Sequence, residues 1–175
     1  MNQVKRITAI LVLLFFMSGV GWLFVEGLTP EVLTVGSKLP SINYQNQYGD
    51  ELSASFTGYK TLIVYFSPVC GHCDFQLKEI ERNIKRLDNV RIFLFTTYNS
   101  FLEYEGVDKY PDLLDMDDVA FGIVDHDEYK SKFGSTVTPT TYIADENGEV
   151  TGKFKGRSKF IDIEEVLFPG FITDE

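Results

Sequence analysis

Residues 61–66, Thr-Leu-Ile-Val-Tyr-Phe, form an uninterrupted apolar run, and residues 90–97, Val-Arg-Ile-Phe-Leu-Phe-Thr-Thr, form a second that only Arg91 breaks. Runs this short and this apolar suit central strands of a sheet covered on both faces. Between them Leu77, Ile80, Ile84 and Leu87 recur at spacings of three and four with charges in between, the period of an amphipathic helix over residues 74–87. A strand, a helix and a strand in this order imply a parallel crossover. The predicted class is therefore α/β.

The flanks extend the sheet. Residues 41–44 and 51–54 enclose Tyr48-Gly49-Asp50 and read as a hairpin. A strand is expected over 119–124, and a short helix over 126–133 that Gly134 ends. Residues 140–143 and 150–155 enclose Asp145-Glu-Asn-Gly148, a second hairpin signal, and a helix over 159–168 follows. Residues 100–118 carry several acids and Pro111. They predict one helix around 101–105 and then a loop, with 112–118 as a solvated acidic face whose spacing matches no Ca²⁺ loop.

The 175 residues suit one folded domain. A formal net charge of -10 argues against nucleic acid, whose phosphates need a cationic footprint. Residues 7–25 are 19 in a row without a charge, preceded by Lys5 and Arg6 and followed by Glu26 and Glu31. That length is close to the roughly 20 residues that span a bilayer, and the flanking cations hold their side in the cytoplasm. The expected order is a cytoplasmic N-terminus (1–6), a single transmembrane signal-anchor (7–25), a tether (26–34) and an extracytoplasmic domain (35–175). Cleavage of 7–25 as a signal peptide is the alternative. It leaves the domain in the same oxidising compartment, where disulfides persist.

The only two cysteines stand in Cys70-Gly71-His72-Cys73, directly after the first apolar run. Where a strand turns into a helix, the first helical N–H groups are unpaired, and their partial positive charge lowers the pKa of a thiol placed there. Cys70 is the expected nucleophile. Cys73, about one turn on, can reach back and resolve a mixed disulfide. A bridge closing so short a loop constrains the unfolded chain little, so an inert staple is the weaker reading. The imidazole of His72 can carry positive charge beside the Cys70 thiolate and shift the couple toward oxidising potentials. His126 reads as a loop or cap histidine. Tyr65, Phe66, Phe93 and Phe95 read as core, with Phe66 or Pro68 as candidates for an apolar rim around the dithiol.

Taken together, Gly36-Ser-Lys-Leu-Pro40 with its hairpin, Tyr65-Phe-Ser-Pro-Val-Cys70-Gly-His-Cys73, Phe133-Gly134, Thr138-Pro139-Thr140 and Asp145-Glu-Asn-Gly148 resemble the thioredoxin superfamily. More closely, they are similar to its membrane-tethered branch of TlpA/ResA-like (redoxin) thiol-disulfide oxidoreductases. The resemblance covers residues 35–167. It implies a thioredoxin-like fold, with a central mixed β-sheet flanked by helices and an N-terminal β-hairpin extension. It implies Cys70 and Cys73 as catalytic residues and redox-active disulfide, Gly71 and His72 as tuning residues, and no metal or cofactor. Pro139 would be cis and face the dithiol, with the Thr138 backbone free to pair with an extended substrate. Partners would be proteins with disulfides or thiols, and a membrane electron-transfer protein.

Reduction of exported apoproteins, including cytochrome c maturation, is the activity the branch implies. The Gly-His pair, shared with protein disulfide isomerase, leans instead toward oxidation or isomerisation. Copper delivery by Cys70, Cys73 and a histidine is a further alternative, since thiolates suit Cu(I). A peroxidase would need the pattern P-x-x-x-T-x-x-C, which is absent. Two positions depart from the family: Val64 and Gln76 stand where relatives place acids. No base for Cys73 is assigned.

Overall fold

The structure, a computed structural model, describes residues 32–99 and 107–170. The expected N-terminus 1–6, the membrane-spanning helix 7–25, the tether over 26–31 and the helix around 101–105 lie outside the described residues. Among the described residues no helix is long and apolar enough to cross a membrane.

In chain order the elements are β1 (Ile42–Asn46), β2 (Glu51–Ala54), β3 (Lys60–Tyr65), α1 (Gly71–Arg82), β4 (Val90–Thr96), α2 (Pro111–Leu114), β5 (Val119–Ile123), α3 (His126–Phe133), β6 (Thr140–Ala144), β7 (Val150–Lys155) and α4 (Phe160–Leu167). The strands form one sheet in the order β2-β1-β5-β4-β3-β6-β7. Strands β3, β4 and β5 run parallel, with Tyr65 opposite Phe95 and Phe95 opposite Gly122. The other pairings are antiparallel, so the sheet is mixed. The N-terminal hairpin is more than an appendage, because β1 also pairs with β5.

Alternation along β3 explains why its sequence is continuously apolar. Leu62, Val64 and Phe66 face α1 and α4, packing with Leu77, Ile80, Phe160 and Ile163. Ile63 and Tyr65 face the other way, packing with Phe93, Phe95, Tyr129, Phe133 and Tyr142. Each fully buried aliphatic or aromatic side chain stabilises by about 1.5–3 kcal/mol relative to its exposed state. On the α3 side the rings stack in series: Tyr65 on Tyr129 at 4.1 Å and Tyr129 on Phe133 at 4.6 Å between centroids.

Two boundaries differ from expectation. The compact unit begins at Val32 rather than Val35. The apolar Leu33 is 3% exposed and belongs to the second core cluster, while its carbonyl accepts a hydrogen bond from Lys153 Nζ at 2.7 Å. The acidic stretch expected as a loop contains α2, with Pro111 at its first turn, where a missing N–H costs nothing. Tyr110 and Leu113 are buried. The Tyr110 hydroxyl donates to Asp74 Oδ1 at 3.0 Å, and the Asp112 N–H donates to Glu81 Oε1 at 3.2 Å. The acids do face solvent, but the two apolar residues between them fasten the segment to α1.

Candidate active site

Helix α1 opens at Gly71, three residues before the apolar period implies, and this places Cys70 at its N-cap with extended backbone (φ -98°, ψ 115°). The Cys70 carbonyl accepts the N–H of Cys73 at 3.0 Å and of Asp74 at 3.1 Å. The backbone N–H groups of His72 and Cys73, in the first turn, also lie close to the Cys70 sulfur. Cys70 is partly exposed and Cys73 fully buried, and both are free thiols. Chain reversal before β6 brings in the other wall: the Cys70 thiol donates to the Thr138 carbonyl at 3.9 Å. The Thr138–Pro139 peptide bond is cis.

The two thiols are driven apart. A hydrogen bond from the Cys73 thiol holds Cys70 below its ordinary value, and the backbone N–H groups of Cys73 and His72 add to this against a smaller desolvation cost. Burial pushes Cys73 up to about 12, with the Ser67 N–H, 3.4 Å from its sulfur, pulling weakly the other way. The arrangement holds one accessible, ionisable sulfur beside one that stays protonated. That is an attacking group and a latent resolving group.

His72 acts here through its backbone N–H; its side chain is exposed. Gly71 has no steric reason to be glycine, since a Cβ there meets nothing within 4 Å. Val64 is fully buried in the core cluster that includes Cys73. Gln76 is fully buried too. Its Oε1 accepts both the N–H (2.8 Å) and the hydroxyl (3.2 Å) of Ser158, in the turn before α4, and its Nε2 has no partner. Neither position carries a charge.

Phe66, a rim candidate, is 1% exposed and belongs to the core, because it continues the inward face of β3. The exposed apolar side chains near the dithiol in sequence are Val69 and Phe75, and Val137 adjoins Thr138, with the Arg157 guanidinium over the Phe75 ring at 4.1 Å. One residue without an expected role joins the site. His126, the first residue of α3, lines a cavity of 360 Å³ together with Ser67 and Thr138, the residues whose backbones touch the two sulfurs. Its place after β5 at the C-terminal end of the sheet is the sequence signal that could have found it. Among the described residues no group of three His, Cys, Asp or Glu side chains is placed to hold a metal ion.

No family model and no curated protein sequence matches the chain. Solved structures do. The thioredoxin domain of a thiol-disulfide oxidoreductase from Bacteroides vulgatus superposes with a TM-score of 0.61 at 16% identity, covering 77% of this chain and 99% of that one. MTB dsbF, solved in mixed oxidised and reduced forms, gives 0.62 at 18% identity over 77% and 97%. A peroxiredoxin-like protein from Aquifex aeolicus gives 0.63 at 13% identity over 80% and 88%. The chain has a thioredoxin-like fold, with a mixed central sheet and helices on both faces.

Proposed function

We propose that this chain is an extracytoplasmic thiol-disulfide oxidoreductase that exchanges the Cys70/Cys73 dithiol with disulfides of protein substrates. The carrying observation is Cys70 at the N-cap of α1, its thiol held low while Cys73 stays buried and protonated. The Cys70 thiolate attacks a substrate disulfide, a Cys70–substrate bond forms, and the first substrate sulfur leaves. Cys73 then attacks the Cys70 sulfur, its proton passing to the departing substrate thiolate. The substrate is reduced by two electrons and a Cys70–Cys73 disulfide is left.

The Thr138 carbonyl beside Cys70 supports main-chain pairing with an extended substrate segment. Solved relatives described as thiol-disulfide oxidoreductases support the same chemistry. Reduction, including the apoproteins of cytochrome c maturation, is the favoured direction, with a membrane electron-transfer partner restoring the dithiol. The uncharged run 7–25 behind Lys5 and Arg6 supports anchoring by a single helix. The lowered Cys70 favours the second reading, oxidation or isomerisation, because stabilising the thiolate stabilises the reduced form.

The test is a Cys73→Ser trap in the full chain. Disulfide-linked proteins should accumulate on Cys70, in the membrane fraction and open to protease added from outside the cytoplasm. The identities and redox states of the trapped proteins decide between reduction and oxidation. If nothing is trapped and the unsubstituted protein neither reduces nor oxidises a model disulfide, the proposal fails.

A further inference from the structure

The cavity beside the dithiol is built differently from an ordinary ligand pocket, whose lining is mostly apolar. Its walls come from the end of β3 and the turn after it (Tyr65, Ser67), the stretch after β4 (Thr97, Tyr98), the start of α3 (His126) and the approach to β6 (Thr136, Thr138). Every one of these side chains carries a hydroxyl or an imidazole, and none is a carboxylate, lysine or arginine. Ser67 is only 7% exposed, yet its hydroxyl makes no hydrogen bond among the described residues. The Tyr65 hydroxyl has only a long 3.4 Å contact with Thr97 Oγ1. His126 and Thr136 are exposed, and their side chains make no hydrogen bond among the described residues. The hydrogen-bonding groups of this cavity are therefore solvated and open to a ligand rather than committed within the fold.

Its position ties it to the reaction. Two of its walls are the residues whose backbones touch the two sulfurs, Ser67 at Cys73 and Thr138 at Cys70. A substrate chain paired at Thr138 therefore delivers a side chain next to its attacked cysteine into this cavity. An apolar side chain would cover the Ser67 and Tyr65 hydroxyls without replacing water as their partner, which is costly. An anionic side chain would approach a chain of net charge -10, with Asp125 and Asp127 on either side of His126.

We propose that this cavity is a specificity subsite for a neutral, hydrogen-bonding side chain, an amide or hydroxyl residue adjoining the substrate cysteine. It rests on the exchange chemistry proposed above and adds which disulfides are attacked fastest. Ser67, His126 and Thr136 are its recognising side chains.

The experiment uses the reduced full chain. Its probes are short peptides whose single cysteine is in a disulfide with a chromogenic aromatic thiol. The residue beside that cysteine is Asn, Leu or Asp, placed before and after it in separate series. The same aromatic thiol disulfide-bonded to free cysteine is the reference for every variant. Relative to that reference, the Asn peptide should react about tenfold faster than the Leu peptide in at least one series, the scale of one buried hydroxyl left unpaired. Ser67→Ala combined with His126→Ala and Thr136→Val should bring the ratio to within about twofold. Equal rates for Asn and Leu, a faster Asp peptide, or a ratio that survives the triple substitution overturns the subsite. Failure of the reference disulfide itself to react overturns the oxidoreductase reading instead.

Discussion

The backbone N–H of Ser67 points at the buried sulfur of Cys73 from 3.4 Å, in surroundings that otherwise disfavour charge there. Burial dominates and keeps Cys73 protonated to about 12, while the Cys73 thiol and the first-turn N–H groups hold Cys70 low. One rapid alkylation by iodoacetamide is therefore expected at neutral pH. It should vanish in Cys70→Ser and persist in Cys73→Ser. Two cysteines alkylated at matching rates would sink this assignment.

Cys73 also makes the reduced protein sensitive to alkali. As an acid whose folded pKa is raised, it stays protonated in the native state while the unfolded chain ionises. Its contribution is complete below the ordinary thiol value of 9.0 and is lost as the pH rises toward about 12. The slope for one such group is about 1.4 kcal/mol per pH unit. Urea midpoints between pH 8 and 11 should fall more steeply for the unsubstituted protein than for Cys73→Ala. Parallel curves would contradict the raised value.

His72→Ala removes an imidazole but keeps the backbone N–H that faces the Cys70 sulfur. The couple should become more reducing by tens of millivolts at most, 30 mV corresponding to about 1.4 kcal/mol. Thiolate absorbance should still place Cys70 below an ordinary thiol. A return of Cys70 to the ordinary value would assign the whole effect to the imidazole.

Gln76→Leu strips Ser158 of the acceptor for both its N–H and its hydroxyl. Buried donors left unpaired cost about 1–3 kcal/mol, partly offset by losing the orphan Nε2. Chemical denaturation should show a net loss of about 1–2 kcal/mol, with the fold retained by circular dichroism. A neutral or stabilising result would mean that the Ser158 turn opens to water at little cost.

Two glycines, Gly148 in the turn before β7 and Gly71 at the start of α1, should respond differently. Gly148 has φ +73°, and an added Cβ would sit 2.7 Å from the Phe56 carbonyl oxygen, so Gly148→Ala should cost about 1–3 kcal/mol. Gly71 has open space, and Gly71→Ala should stay within about 0.5 kcal/mol. Thermal melts of the two variants separate these outcomes, and a large loss at Gly71 would reveal a constraint the backbone does not show.

Much of this molecule was legible as sequence because its signals are local. Apolar runs at 61–66 and 90–97 mark strands buried on both faces, and Cys70-Gly71-His72-Cys73 after the first marks a reactive helix start. Both follow from periodicity and from unpaired N–H groups at a helix end, properties of short segments. The α2 segment was missed because four residues carry too little periodicity, and the Tyr110 that precedes it is held by Asp74 of α1, 36 positions away in sequence.

What only tertiary structure decided involves partners brought together across the chain. Ser67 and Thr138, 71 positions apart, flank the two sulfurs. Gln76 is committed to Ser158, 82 residues away, and His126 shares a cavity with the walls of the dithiol. The sequence alone determined that two thiols would meet at the end of a central strand. Which thiol ionises and which stays protonated depends on burial and on nonlocal hydrogen bonds, because desolvation is set by everything packed around a group rather than by its neighbours in the chain.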